Sequence, residues 1–228
     1  KTTLFNIVSG VLKPDAGRIL FKDRPIHGLK PCRIAGAGIS RTFQNPSLFL
    51  QMSVLENVMV GRHCRTRSGF AASAVRWPGQ RREEKAIRAA ALEWLEFAGL
   101  ADRAEAPAGS LAFGQRRMAE LARALATEPA LLLLDEPASG LNNREKEDLG
   151  GLIRKIRDRS ITVLLVEHDM SLVMDISDDI LVLYNGTPIA EGAPSVIQND
   201  PKVISVYLGG EFQHAAASEK SEVRLRQS

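Results

Sequence analysis

This 228-residue sequence is short of most features that give a class away. It has two cysteines, Cys32 and Cys64, in no C-x-x-C pair and near no histidine cluster. They read as two reduced thiols of a cytosolic protein. It lacks charge of one sign: 30 basic residues stand against 27 acidic ones, a net of +3. That is too mild for a nucleic-acid field, and no nucleic-acid partner is expected. No apolar run reaches the ~18–20 residues needed to span a bilayer. The longest candidate, ALLLLDEPA, is broken by charge. The chain opens without a signal-peptide pattern, so a membrane role is expected only through a partner. No internal repeat is present. What remains is an ordinary globular composition, 44% hydrophobic and 25% charged, with material for a large core.

Periodicity organises the chain. Leu4, Ile7, Val8 and Val11 recur at helical spacing, which predicts a helix over 2–12. The stretch KPDAG ends it at a turn. RILFKD and GISRTF read as short strands, the second ending at Gln44. Ser53 and Glu56, three apart before an apolar run, form a capping box and start a helix. Residues 62–85 are basic and loop-like; KAIRAAALEWLEFAGL is a helix with Ile87, Ala91, Leu92 and Leu95 on one face. A further helix is expected over 115–126, with Met118, Leu121 and Leu125 as its buried stripe. ALLLLDEP and ITVLLVEHD are unbroken apolar runs, as in parallel strands buried on both faces. An amphipathic helix lies between them, and DDILVLYNGTPIAEG reads as a hairpin turning at Asn185-Gly186. The tail from Glu211 has few large apolar residues and is expected to be disordered. Strand–helix–strand alternation implies an α/β fold with parallel crossovers.

Five stretches carry chemistry. Lys1 and Thr2, followed at once by a helix, match the Lys-[Ser/Thr] end of a phosphate loop. There the lysine reaches phosphates and the hydroxyl ligates Mg²⁺. A solvated helix start is the plain alternative. In LLLLDEP, four leucines deliver Asp135 to a strand end, where open α/β sheets bind ligands and a carboxylate can hold Mg²⁺. Glu136 can orient an attacking water. Gly114, at the start of a helix, suits an anion. His168 sits just past a parallel strand on the same sheet edge as Asp135, a place from which to touch a terminal phosphate. Gln44 ends its strand with an oxygen that can ligate the metal or hold the water.

In this order the motifs resemble the ATP-binding subunit of an ABC transporter, from Lys1 to about Gly210. The resemblance implies a P-loop NTPase α/β fold, with a mostly parallel core sheet, antiparallel β elements and a helical subdomain. Residues 1–52 and 126–210 would form the core, 53–125 the helical subdomain and 211–228 the tail. By resemblance, Lys1, Thr2 and Thr3 close the Walker A loop, and Gln44 is the Q-loop glutamine. LAFGQ, with Leu111, Ala112, Gly114 and Gln115, is the signature. LLLLDEP is Walker B, SGLN with Asn142 is the D-loop, and His168 is the switch histidine. ATP and Mg²⁺ are the implied cofactors, with Thr2, Gln44 and Asp135 on the metal. The implied partners are a second ATP-binding subunit, as a homo- or heterodimer, membrane permeases and, indirectly, a periplasmic solute-binding protein. The implied location is the cytoplasmic face of the inner membrane. The surface near Gln44 and 45–60 would dock on the membrane subunits.

Within the family the sequence is most similar to subunits of branched-chain amino acid importers. LAFGQ, SGLN, EHDMSLVMDISDDILVL, the basic stretch 62–85 and VISVYLGG carry that likeness. Urea or amide importers share several of these features. Ala112 stands where many relatives have serine, and Asn142 where aspartate is common. The resemblance also implies a start truncated within Walker A. Three loop N–H groups at ~1.5–3 kcal/mol each amount to roughly 4–9 kcal/mol, against ~4–8 kcal/mol for a micromolar to millimolar site. This polypeptide alone is therefore expected to bind ATP poorly. Two rival readings are a soluble ABC ATPase acting on DNA or ribosomes and a non-catalytic interaction module. The first would need a coiled-coil insert or a second domain; intact Glu136 and His168 speak against the second.

Overall fold

The computed structural model describes residues 1–42, 47–62 and 78–206, with side chains from Arg82 onward in the last stretch. Two compact units emerge. One is Thr2–Asp169; the other is Met170 onward with Lys1.

In the first unit, helix α1 spans Thr2–Val8. It stops short of the predicted 12 because Gly10 turns left-handed at φ 75°. Val11 N–H then bonds back to Asn6 O at 2.8 Å, a helix-closing pattern. β1 (Leu20–Phe21) and β2 (Arg24–Pro25) pair antiparallel around Lys22-Asp23, both at positive φ, as a two-residue hairpin requires. α2 (Pro31–Ala37) follows, with proline in its first turn and left-handed Gly38 closing it. This helix was not expected.

β3 (Ile39–Arg41) pairs parallel with β4 (Leu131–Asp135), which pairs parallel with β5 (Thr162–Val166). In β4, Leu132, Leu133 and Leu134 are fully buried. Each such side chain contributes about 1.5–3 kcal/mol. β5 departs from the expected two-sided burial: Leu164 is 41% exposed. β4 lies between two strands, whereas β5 is bonded on one side only among the described residues, so its shelter is thinner. α1 and α2 cover one region of this sheet through Phe5, Ile26, Ile34, Ile39 and Leu133.

Three helices form a second core: α3 (Val54–Arg62), α4 (Pro78–Phe97) and α5 (Phe113–Leu125). The capping box holds as read, with Ser53 Oγ accepting from Glu56 N at 3.1 Å and Glu56 Oε2 from Ser53 N at 2.7 Å. Leu55, Val58, Ala91, Leu95 and Ala119 interlock there. Leu92, expected on the buried face, is exposed, and Trp94 packs against the cluster instead. α5 begins at Phe113, two residues before the expected start, with Leu121 and Leu125 buried. α6 (Asn143–Asp158) connects β4 to β5.

The second unit holds α7 (Met170–Ile176), the hairpin of β6 (Ile180–Tyr184) and β7 (Thr187–Gly192), and α8 (Pro194–Ile197), with helix again over 201–206. The hairpin turns at Asn185-Gly186, at φ 48° and 81°, as the dipeptide predicted. The tail from Glu211 lies outside the described residues, as do Cys64 and 63–77 of the stretch expected to be loop-like; the rest of that stretch is not loop, since Arg62 ends α3 and α4 already runs from Pro78.

Candidate functional site

The candidate site is the rim where β4 and β5 end together. Asp135 pairs with Val166 across the strands, and Glu136 N–H donates to Val166 O at 2.8 Å. The two acidic neighbours then part. Asp135 is buried, 3% exposed, at the strand end. Glu136 turns left-handed at φ 49°, a conformation that costs a non-glycine residue about 1–3 kcal/mol and clusters at functional sites. Its Oε1 lies 3.0 Å from His168 Nε2. Separating the carboxylates in this way relieves their repulsion and gives them different partners.

Three further residues set this rim, Glu167, Lys146 and Arg41, and none was singled out from the sequence. Glu167 is buried, and its two carboxylate oxygens accept from Ala138 N at 2.7 Å and His168 N at 3.0 Å. One carboxylate thus binds the loop after β4 to the loop after β5. Lys146 of α6 adds a 2.6 Å bond to Asp169. Arg41, at the end of β3, donates to Asp135 Oδ2 at 2.9 Å, Asn6 Oδ1 at 2.7 Å and Ser9 Oγ at 3.0 Å. Its guanidinium also lies 5.7 Å from the Phe5 ring centroid. The Arg41–Asp135 pair spans 94 positions, so no local pattern signals it.

The signature stretch forms a second locus in the same unit. Leu111 is buried and Ala112 is the residue before α5, with no side-chain cap. Gln115 Oε1 accepts from Ala112 N at 3.1 Å. A Cβ on Gly114 would stand 2.3 Å from Glu145 Oε1, and one on Gly140 would stand 3.0 Å from the Phe113 ring. The start of α5 therefore packs against the loop and first turn of α6 through two glycines. Asn142 caps α6: its Oδ1 accepts from Glu145 N at 3.0 Å, and Glu145 Oε2 accepts from Asn142 N at 2.9 Å.

Thr2 and Thr3 are exposed in the first turn of α1. Lys1 is exposed and belongs to the other unit. Gln44 lies outside the described residues. Among the described residues no cluster of three or more His, Cys, Asp or Glu side chains could hold a metal. Asp135, a buried carboxylate at a strand end, is the donor type that suits Mg²⁺, which is bound by one or two carboxylates plus waters and substrate phosphates. No helix among the described residues is long and apolar enough to cross a membrane.

A parallel sheet with Asp-Glu and His at its carboxyl rim, joined to a helical cluster, has the build of a P-loop-type ATPase cassette. A family model described as ABC transporter matches residues 1–139, and one described as branched-chain amino acid ATP-binding cassette transporter matches 187–213. The chain belongs to the ABC transporter family. It is 45% identical over 210 residues to the high-affinity branched-chain amino acid transport ATP-binding protein BraF of Pseudomonas aeruginosa. It is 44% identical over 210 residues to the corresponding LivG protein of Escherichia coli K12. Both matches cover 92% of this chain and 82% of the relative. The ADP conformation of an ATP-binding cassette of an ABC transporter aligns at TM-score 0.78 with 33% identity, over 92% of this chain and 83% of that one. A dimeric post-hydrolysis cassette bound to ADP and Pi aligns at TM-score 0.69 with 25% identity, over 85% and 80%.

Proposed function

We propose that this chain is the ATP-binding and ATP-hydrolysing subunit of an ABC importer that takes up branched-chain amino acids or a related small polar solute. The observation that carries it is the Glu136–His168 pair at 3.0 Å beside buried Asp135, on paired strand ends. Asp135, with Thr2 and Gln44, would hold Mg²⁺, which when bound neutralises charge developing on the transferred phosphoryl group. Glu136 accepts a hydrogen bond from water and aims its oxygen at the terminal phosphate. In this reading His168 Nε2, 3.0 Å from Glu136, contacts the same phosphate. Lys1, Thr2 and Thr3 would carry the phosphate end of the nucleotide.

Leu111, Ala112, Gly114 and Gln115 face a second subunit's nucleotide in this reading, with Asn142 at the seam. ATP would then act as a clamp between two subunits, since each supplies half of each site. The cycle drives permeases at the cytoplasmic face of the inner membrane, fed by a periplasmic solute-binding protein. Residues 53–125 act as the helical subdomain between nucleotide and permease. The test is uptake of radiolabelled leucine in cells deleted for this gene. Restoration by the wild-type gene and not by Glu136→Gln is expected. Restoration by Glu136→Gln refutes the coupling of hydrolysis to transport, and unchanged uptake in the deletion refutes the substrate class.

A further inference from the structure

Arg41 is the one cation bonded to Asp135 among the described contacts, at 2.9 Å, and the two side chains are 8% and 4% exposed. A guanidinium has a fixed fork of donors. Here, from the end of β3, it joins β4 through Asp135 to α1 through Asn6 and to the turn after α1 through Ser9. It stands two residues before the undescribed 43–46, which contain Gln44. A cation already on the carboxylate bears on any second cation bound there. Two positive centres sharing one carboxylate repel, and the repulsion is strong where water is excluded.

We propose that Arg41 is a positioning residue that holds Asp135 as an ion pair in the nucleotide-free state and yields it to the metal when metal–nucleotide binds. The inference rests on the reading of Asp135 as a metal ligand. Without ligand, Arg41 supplies the positive charge that a buried carboxylate needs and keeps α1 anchored to the strand ends. When the metal takes up Asp135, Asn6 and Ser9 remain as acceptors for Arg41. Metal binding and the Arg41–Asp135 bond therefore oppose each other.

The measurement is calorimetry of ADP binding to the full-length gene product, with Mg²⁺ and with EDTA. The dissociation constant in EDTA divided by that with Mg²⁺ is the ratio that reads the metal's own part in binding. A residue that only supports the fold moves both constants together and leaves the ratio alone. In Arg41→Met the ratio is expected to rise about tenfold, because the competing charge is gone. Arg41→Lys keeps a cation and is expected to hold the ratio within about twofold of wild type; it also serves should Arg41→Met not fold. A ratio unchanged or lowered in Arg41→Met, or raised tenfold in Arg41→Lys, overturns the proposal. Asp135→Asn separates the two levels. If it abolishes the Mg²⁺ effect while Arg41→Met leaves the ratio unchanged, the Arg41 proposal alone fails. If Asp135→Asn retains the full Mg²⁺ effect, Asp135 is not a metal ligand and both fail.

Discussion

The starts of α5 and α6 pack against each other and are finished differently. At α6, Asn142 and Glu145 satisfy each other's backbone donors, at 3.0 and 2.9 Å. At α5, Ala112 has no side-chain oxygen to offer, and Gln115 reaches back only to Ala112's own N–H. Both are helix starts with orphan donors to satisfy. One closes itself and so fixes the loop 139–142; the other has no side-chain acceptor on its first N–H groups, which suits the proposed role of facing a partner's nucleotide. The strand-end rim resembles α6 in this respect. Its charges are matched internally, Asp135 by Arg41, with Glu136 at His168 and Glu167 on two backbone donors.

This contrast can be broken by mutation. His168→Ala removes the partner of Glu136 at the rim and is expected to lower phosphate release about 100-fold in a steady-state assay of the full-length protein. A Cβ at Gly114 would collide with Glu145, whose displacement also uncaps Asn142. Because only that flexible carboxylate must move, and alanine favours a helix over glycine, Gly114→Ala is expected to cost no more than the lost cap, up to about 1 kcal/mol in urea melts. Pairing it with Glu145→Ala should recover part of that loss in a double-mutant cycle, and strict additivity would deny the contact. Asn142→Ala is expected to cost about 1 kcal/mol, whereas Ala112→Ser, by supplying the missing cap, is expected to gain up to about 1 kcal/mol. Equal signs would erase the distinction between the two starts.

The smallest effect concerns α3, capped like α6. Bonds from the Ser53 backbone and side chain hold the Glu56 carboxyl below the usual glutamate value. A lowered folded pKa adds stability that is complete above the ordinary glutamate range and lost as pH falls through the lowered value. Glu56→Gln should remove that acid-limb dependence in pH-resolved melts.

Much of this was legible locally. Four leucines before Asp135 specify a buried strand, Ser53 and Glu56 a helix start, and Asn185-Gly186 a hairpin, because each signal lies within a few residues of its effect. The order of motifs carried the rim for the same reason. The pieces that escaped depend on distance in sequence. Arg41 meets Asp135 from 94 positions away, and Glu167 meets Ala138 from 29. The exposure of Leu164 escaped too, since an apolar run reports what a strand is suited to and not which neighbours cover it. α2 could have been found, for Pro31 and Gly38 bracket it as proline and glycine bracket helices.

The central claim is that Glu136 orients the hydrolytic water at the rim it shares with Asp135 and His168. It is tested most directly by Glu136→Gln in the full-length protein, with phosphate release and ATP affinity measured side by side. The account predicts that release falls at least about 100-fold while affinity stays within a few-fold of wild type. Hydrolysis persisting near the wild-type rate, with ATP still bound, would contradict it.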